Sequence, residues 1–204
     1  MMGRHRQGSR WAVWGTAAMV VATMVAGAAL LRVKPDQARV QRPFVRDGVA
    51  GRSVSARTFD VTVLDVTGGT TLVQQSLKID TGGLFIAVRV RVVAVEKPLE
   101  IGYSEVRDGD NRTYTPTERV KQPLTDGRTL QPGLPVEAQI IFETPAGAAG
   151  DLTLLIARPP KNSLSGLGLA MEAIASIPLP VDRAKVDGWL AAKSTVTVEK
   201  AKVG

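Results

Sequence analysis

Residues 83–98, GLFIAVRVRVVAVEKP, restrict the possible folds more than any other stretch of this chain. Leu84, Ile86, Val88, Val90 and Val92 recur at every second position, with Arg89 and Arg91 between them. Side chains alternate between the two faces of a strand, so this spacing gives one apolar and one charged face. The density of β-branched residues argues against a helix. The apolar face needs a second layer to cover it. Arg89 and Arg91, on the other face, read either as an ordinary solvated surface or as a binding surface for a partner such as an anionic envelope polymer.

The same period recurs along the chain. In TFDVTVLDV, Phe59, Val61 and Val63 share one face, and VTGGTT then reads as a turn. SEVRDGDNRTY reads as a strand end, a tight turn over residues 108–111 and a return led by Tyr114. LQPGLPVEAQIIFETP places a turn at Pro132-Gly133, then alternates Val136, Ala138, Ile140 and Phe142 against Glu137, Gln139, Ile141 and Glu143. DLTLLIA and AMEAIASIPL add two more strands. Short strands parted by turn signals describe an all-β antiparallel sandwich over residues 51–180.

Residues 11–31 are free of charge, and a helix of that length rises roughly 31 Å, about the thickness of a bilayer core. Arg4, Arg6 and Arg10 precede it in a basic tail, residues 1–10, which predicts a cytoplasmic N-terminus and an extracytoplasmic C-terminal domain. Trp11 and Trp14 suit the headgroup layer. The expectation is a single-pass transmembrane anchor in the cell membrane. The rival reading is a signal peptide cleaved after Ala28, since Ala26 to Ala28 offer small residues at the right spacing. Ala18, Ala22 and Ala26 form a stripe at helical spacing, a surface for packing against another helix. Residues 32–50, with scattered prolines and charges, read as a linker.

The anchor also explains the charge. Of the 26 lysines and arginines behind a net charge of +7, five stand in the first 34 residues, where there is no acid. The rest of the chain is close to neutral, so nucleic acid is not an expected partner. There is no cysteine, which excludes disulfides and thiol chemistry. The single histidine is His5, on the cytoplasmic side of the anchor, so neither a Ser-His-Asp triad nor a histidine zinc site can assemble beyond the membrane. Glu96, Glu100, Glu105, Asp108 and Asp110 leave a two-carboxylate glycosidase conceivable, although few aromatics are present to stack on sugars. DGDNRTY has oxygen donors but places Arg112 and Arg119 where a calcium loop needs acids, so a hairpin turn accounts for it better. SGLGLA lacks the strand and acid of a dinucleotide fold and reads as a loop.

The order VTVLDV, GLFIAVRVRVVAVEKP, SEVRDGDNRTYTP, LQPGLPVEAQIIFETP, LTLLIA resembles the immunoglobulin-like domain of the mycobacterial immunoprotective antigen type. That domain recurs in secreted and anchored proteins of Gram-positive bacteria, actinobacteria included, under a domain-of-unknown-function label. The resemblance implies an extracytoplasmic sandwich with no established enzymatic activity and no catalytic residues to carry over. The expectation from the residues is a non-enzymatic protein with no cofactor and no metal.

Residues 181–204 extend beyond it. Asp182 is suited to cap a short helix with Val186, Trp189 and Leu190 on one side, and STVTVEK reads as a strand. This tail either packs on its own sandwich or is offered to another subunit by strand addition, through Trp189, Leu190, Val196 and Val198. Two functions fit. One is a non-enzymatic accessory subunit of a cell-envelope protein complex; the other is a small-ligand or glycan carrier or sensor.

Overall fold

The computed structural model describes residue 19, residues 44–158 and residues 173–204. The proposed tail, anchor, helix-packing residues Ala18, Ala22 and Ala26, and the SGLGLA loop lie outside the described residues. Among the described residues no helix is long and apolar enough to cross a membrane. The chain divides into two compact units, Met1–Arg42 and Pro43–Gly204, and the second is an all-β sandwich.

The first sheet contains β1 (Phe44–Asp47), β6 (Tyr103–Asp108), β7 (Thr113–Tyr114), β10 (Leu152–Ala157) and β11 (Ala173–Pro178), in the order β1-β11-β10-β6-β7. The second contains β3 (Phe59–Gln74), β4 (Leu77–Ala94), β9 (Val136–Thr144), β12 (Thr195–Thr197) and β13 (Lys202–Val203), in the order β12-β3-β4-β9-β13. The short β2 (Val54–Ser55) lies on β3, and β5 (Leu99–Glu100) pairs with β8 (Thr129–Leu130). One helix, α1 (Arg183–Ala191), stands between β11 and β12.

The core lies between the two sheets, where the alternation places it. Val61, Val63, Ile86, Val88, Val90, Ile140 and Phe142 from the second sheet meet Val106, Leu154, Ile156, Ala175 and Ile177 from the first, all of them buried. Removing so much apolar surface from water is the main force holding the layers together.

Four expectations are corrected. The central strands are long: β3 has 16 residues and β4 has 18. The sheets are not purely antiparallel, since β1 runs parallel to β11 and β12 parallel to β3. Residues 44–47, read as linker, form an edge strand. VTGGTT does not turn the chain, because residues 66–71 lie within β3 and the hairpin closes at Gln75, whose φ is +55°. The glycines serve close approach instead. A Cβ on Gly68 would collide with the Trp189 ring, and one on Gly69 with the Ser194 carbonyl.

The far end of this hairpin is irregular. Between Gly69↔Phe85 and Thr71↔Asp80, residues 81–84 of β4 stand opposite the single residue Thr70. Such a bulge bends the ribbon. Leu72 thereby joins Phe85, Ala87, Val120, Ile141 and Val196 in a second buried cluster on the outer face of the second sheet. The face expected to be polar is therefore half covered.

Candidate functional site

The outer face of the second sheet is crossed by the C-terminal arm. Asp182 caps α1 by accepting a 2.8 Å hydrogen bond from the Lys185 amide. Val186 is fully buried, while Trp189 and Leu190 are half-buried against the main core. The chain then runs as β12 along β3 in the register Thr195↔Thr71 to Thr197↔Val73, with the Val198 amide donating to the Val73 carbonyl at 2.8 Å. The Glu199 amide donates to Gln139 Oε1 at 2.8 Å, and β13 pairs with the opposite edge through Lys202↔Glu137. Residues 198–201 thus form a strap, pinned at both edges of the sheet.

Beside and beneath this strap is a polar cleft of about 260 Å³, with Asp65, Thr67, Arg89 and Gln139 from the sheet and Thr195, Thr197 and Glu199 from the arm. Arg89 stands opposite Asp65 on β3 and Gln139 on β9. Its Nε is buried with no hydrogen-bond partner. Among the described residues it also forms no ion pair. A smaller recess next to the cleft brings Lys200, Lys202 and Glu137 near the same arginine.

Arg91, two residues on, has a partner. It donates through Nε to Glu137 at 3.0 Å and bonds again through its terminal nitrogen. That hydrogen bond, more than the surrounding positive charge, holds the Glu137 carboxyl below the ordinary glutamate range. Of the two outward arginines, one is neutralised and one is left open. Trp189, Leu190, Val196 and Val198 all pack within their own fold, with Val196 buried and Val198 half-buried in the second cluster.

Elsewhere the face is closed by side chains imitating backbone. Gln122 donates through Nε2 to the carbonyls of Thr117 and Ile141 and accepts from the Ile141 amide at 3.0 Å, which satisfies an edge of β9. Gln74 makes a similar reciprocal pair with the backbone of Lys121.

DGDNRTY forms the expected hairpin, with Asn111 at φ +63°. The buried Asp108 organises it: Oδ1 accepts from the amides of Asp110 and Arg112 at 3.0 and 2.9 Å, and Oδ2 from Arg112 Nε at 2.7 Å and the Tyr114 hydroxyl at 3.1 Å. Burial acts to raise the Asp108 carboxyl. The hydrogen bonds from Arg112 and Tyr114 outweigh it and keep the group below the ordinary range. Both oxygens are committed to the turn, in keeping with the hairpin reading over the calcium loop. Of the other acids in the suspected carboxylate group, Asp110 stays in this turn and shares Arg112 with Asp108, while Glu100 accepts from Thr129 and Glu105 from Tyr103.

Asp65, Gln139 and Glu199 were not singled out from sequence. For Asp65 a signal existed. The inward series Phe59, Val61, Val63 resumes at Val66 and not at 65, a slip that marks the bulge between Val63 and Asp65 and turns the acid outward.

A family model described as "Domain of unknown function (DUF4352)" matches residues 49–163, more than half of the chain. The chain belongs to the DUF4352 family. The match takes in the Asp65, Arg89 and Gln139 wall of the cleft but stops before the arm, so the Glu199 wall lies outside the DUF4352 region. Among solved structures, the chain is similar to an uncharacterized β-sandwich protein from Clostridium difficile 630, at 11% identity and TM-score 0.42 over 67% of this chain and 95% of that one. No curated protein matches.

Proposed function

We propose that this DUF4352 chain is a non-enzymatic binding module, held by residues 11–31 at the outer face of the cell membrane, where it serves as an accessory subunit of a cell-envelope protein complex. In this reading the sandwich is immunoglobulin-like and related to the mycobacterial immunoprotective antigen type, and the host is a Gram-positive bacterium. The observation that carries the proposal is Arg89, which lines an open polar cleft with no ion-pair partner among the described residues and whose buried Nε has no hydrogen-bond acceptor. An unmet buried donor costs roughly 1–3 kcal/mol, more for a charged group, and a binding site is one reason for a fold to retain it.

The dimensions of the cleft favour a second reading, a small-ligand or glycan carrier or sensor, secreted or anchored. A space of about 260 Å³ has room for a small molecule or a single side chain. Two measurements test the proposal. A cysteine placed at Lys200 should react with a membrane-impermeant maleimide on intact cells, and labelling only after lysis would refute the location. A photo-crosslinking residue at Arg91 should capture one defined membrane protein in stoichiometric yield, and a diffuse set of products would refute the accessory role.

A further inference from the structure

We infer that the Arg89 cleft takes a small zwitterion, a molecule with a carboxylate at one end and an ammonium group at the other, as in a free α-amino acid. The inference rests on the binding-module reading in its small-ligand form. A guanidinium that lines the cleft without an ion-pair partner suits a carboxylate, because charge-assisted hydrogen bonds from its terminal nitrogens are strong and the planar fork fixes their direction. A simple anion is a poor match for the rest of the cleft. Asp65 stands opposite Arg89 in register and Glu199 lines the same cleft from the strap, so two carboxylates share the space with one arginine. Lys202 approaches Glu199 only to 3.6 Å, with its own side chain 71% exposed, so it offsets that charge weakly. A phosphate dianion in this setting meets Asp65 and Glu199 as well as Arg89, and the lysines at 200 and 202 belong to the neighbouring recess.

An apolar molecule fares no better, since it would cover Arg89 without supplying an acceptor. A zwitterion meets both signs, with its carboxylate on Arg89 and its ammonium toward Asp65 and Glu199. Thr67, Thr195 and Thr197 line the same space, and their hydroxyls can donate or accept. The volume is below the usual range for drug-sized ligands, as an amino-acid-sized occupant requires. Because Glu199 belongs to the strap, a bound zwitterion bridges sheet and arm and holds residues 198–201 down.

The test uses the full-length chain in detergent, titrated with L-alanine and followed by calorimetry and by amide exchange of residues 198–201. Propionate, ethylamine and inorganic phosphate serve as single-charge and dianion controls. L-alanine should saturate and slow exchange in the strap, with propionate and ethylamine each weaker by about tenfold or more. Arg89→Gln and Glu199→Gln should each weaken L-alanine by about tenfold or more. Glu199 lies on the exposed arm, so its variant keeps the core intact whatever Arg89→Gln does to folding.

Equal binding of propionate and L-alanine, tighter binding of phosphate, or no saturation by L-alanine would each overturn the inference. If L-alanine fails while the Arg91 crosslink to a single membrane protein forms, the ligand class falls and the binding module stands. If both fail, the module reading falls too.

Discussion

At the turn between β6 and β7, the Asp108 carboxylate is 2% exposed and accepts four hydrogen bonds, two from backbone amides and two from side chains. On the outer face of the second sheet, Arg89 is also partly withdrawn from water, yet its Nε has no acceptor. Both places set arginine among acids on a β-scaffold, but only the first is complete. A buried charge with every bond satisfied fixes a conformation, whereas one left unsatisfied is a standing cost that a ligand can remove. From sequence, DGDNRTY reads as a hairpin turn, and AVRVRV leaves Arg89 either on a solvated surface or on a binding one.

The largest expected effect comes from breaking the complete network. Asp108→Ala should lower the thermal midpoint by about 10 °C, because two amides, a guanidinium and a hydroxyl lose their acceptor together. The wild-type network also predicts an acid limb. The folded carboxyl lies below its unfolded value of about 3.9, so its contribution is whole above that pH and drains away as pH falls toward the folded value. Urea unfolding from pH 6 down to pH 2 should show that limb, and Asp108→Asn should flatten it.

Gly69→Ala comes next, with about 1–3 kcal/mol lost, since the new methyl meets the Ser194 backbone where the arm joins β3. Amide exchange in β12 should rise while the Asp108 turn stays protected. If both loosen together, the two regions are not independent.

A smaller effect separates the two tyrosines. Burial first, then the hydrogen bond to Glu105, pushes Tyr103 up to about 12, and burial with the Asp108 bond raises Tyr114 as well. Absorbance at alkaline pH should therefore show neither ionising near 10. In Asp108→Ala only Tyr114 should move back toward that value.

The smallest effect belongs to Arg89. Arg89→Met should raise stability by about 1 kcal/mol, because no internal bond is lost and an unmet donor is removed. A loss as large as that of Asp108→Ala would mean that Arg89 is a structural residue, and the contrast between the two places would disappear.

Much of the sandwich could be read directly because alternation is a local property. Leu84 to Val92 and Val136 to Phe142 pack as their spacing requires, and the hairpin at Asn111 follows from its turn chemistry. Three features resisted. The glycines at 68 and 69 carry the composition of a turn, and only the arrival of Trp189 and Ser194 shows why they lie inside a strand. Edge strand β1 is exposed at all four residues and has no apolar face to betray it. Phe85, Ala87 and Ile141 lie on the face reckoned polar, and the segments that cover them come from residues 72, 120 and 196.

The site was half legible for the same reason. Arg89 follows from the period of β4, and Asp65 from a slip in the period of β3. Glu199 depends on a return of the chain that no local pattern encodes.

The arm has one more consequence, for the order in which the molecule can be made. Residues 195–203 supply the flanking strands on both sides of the second sheet, long after β3 and β4 have left the ribosome. Until they emerge, the edge of β3 along residues 71–73 and the Val136-Glu137 end of β9 lack these partners and expose amides and carbonyls, the kind of border that recruits stray strands. A chain that lacks residues 195–203 should therefore self-associate more readily than the whole protein.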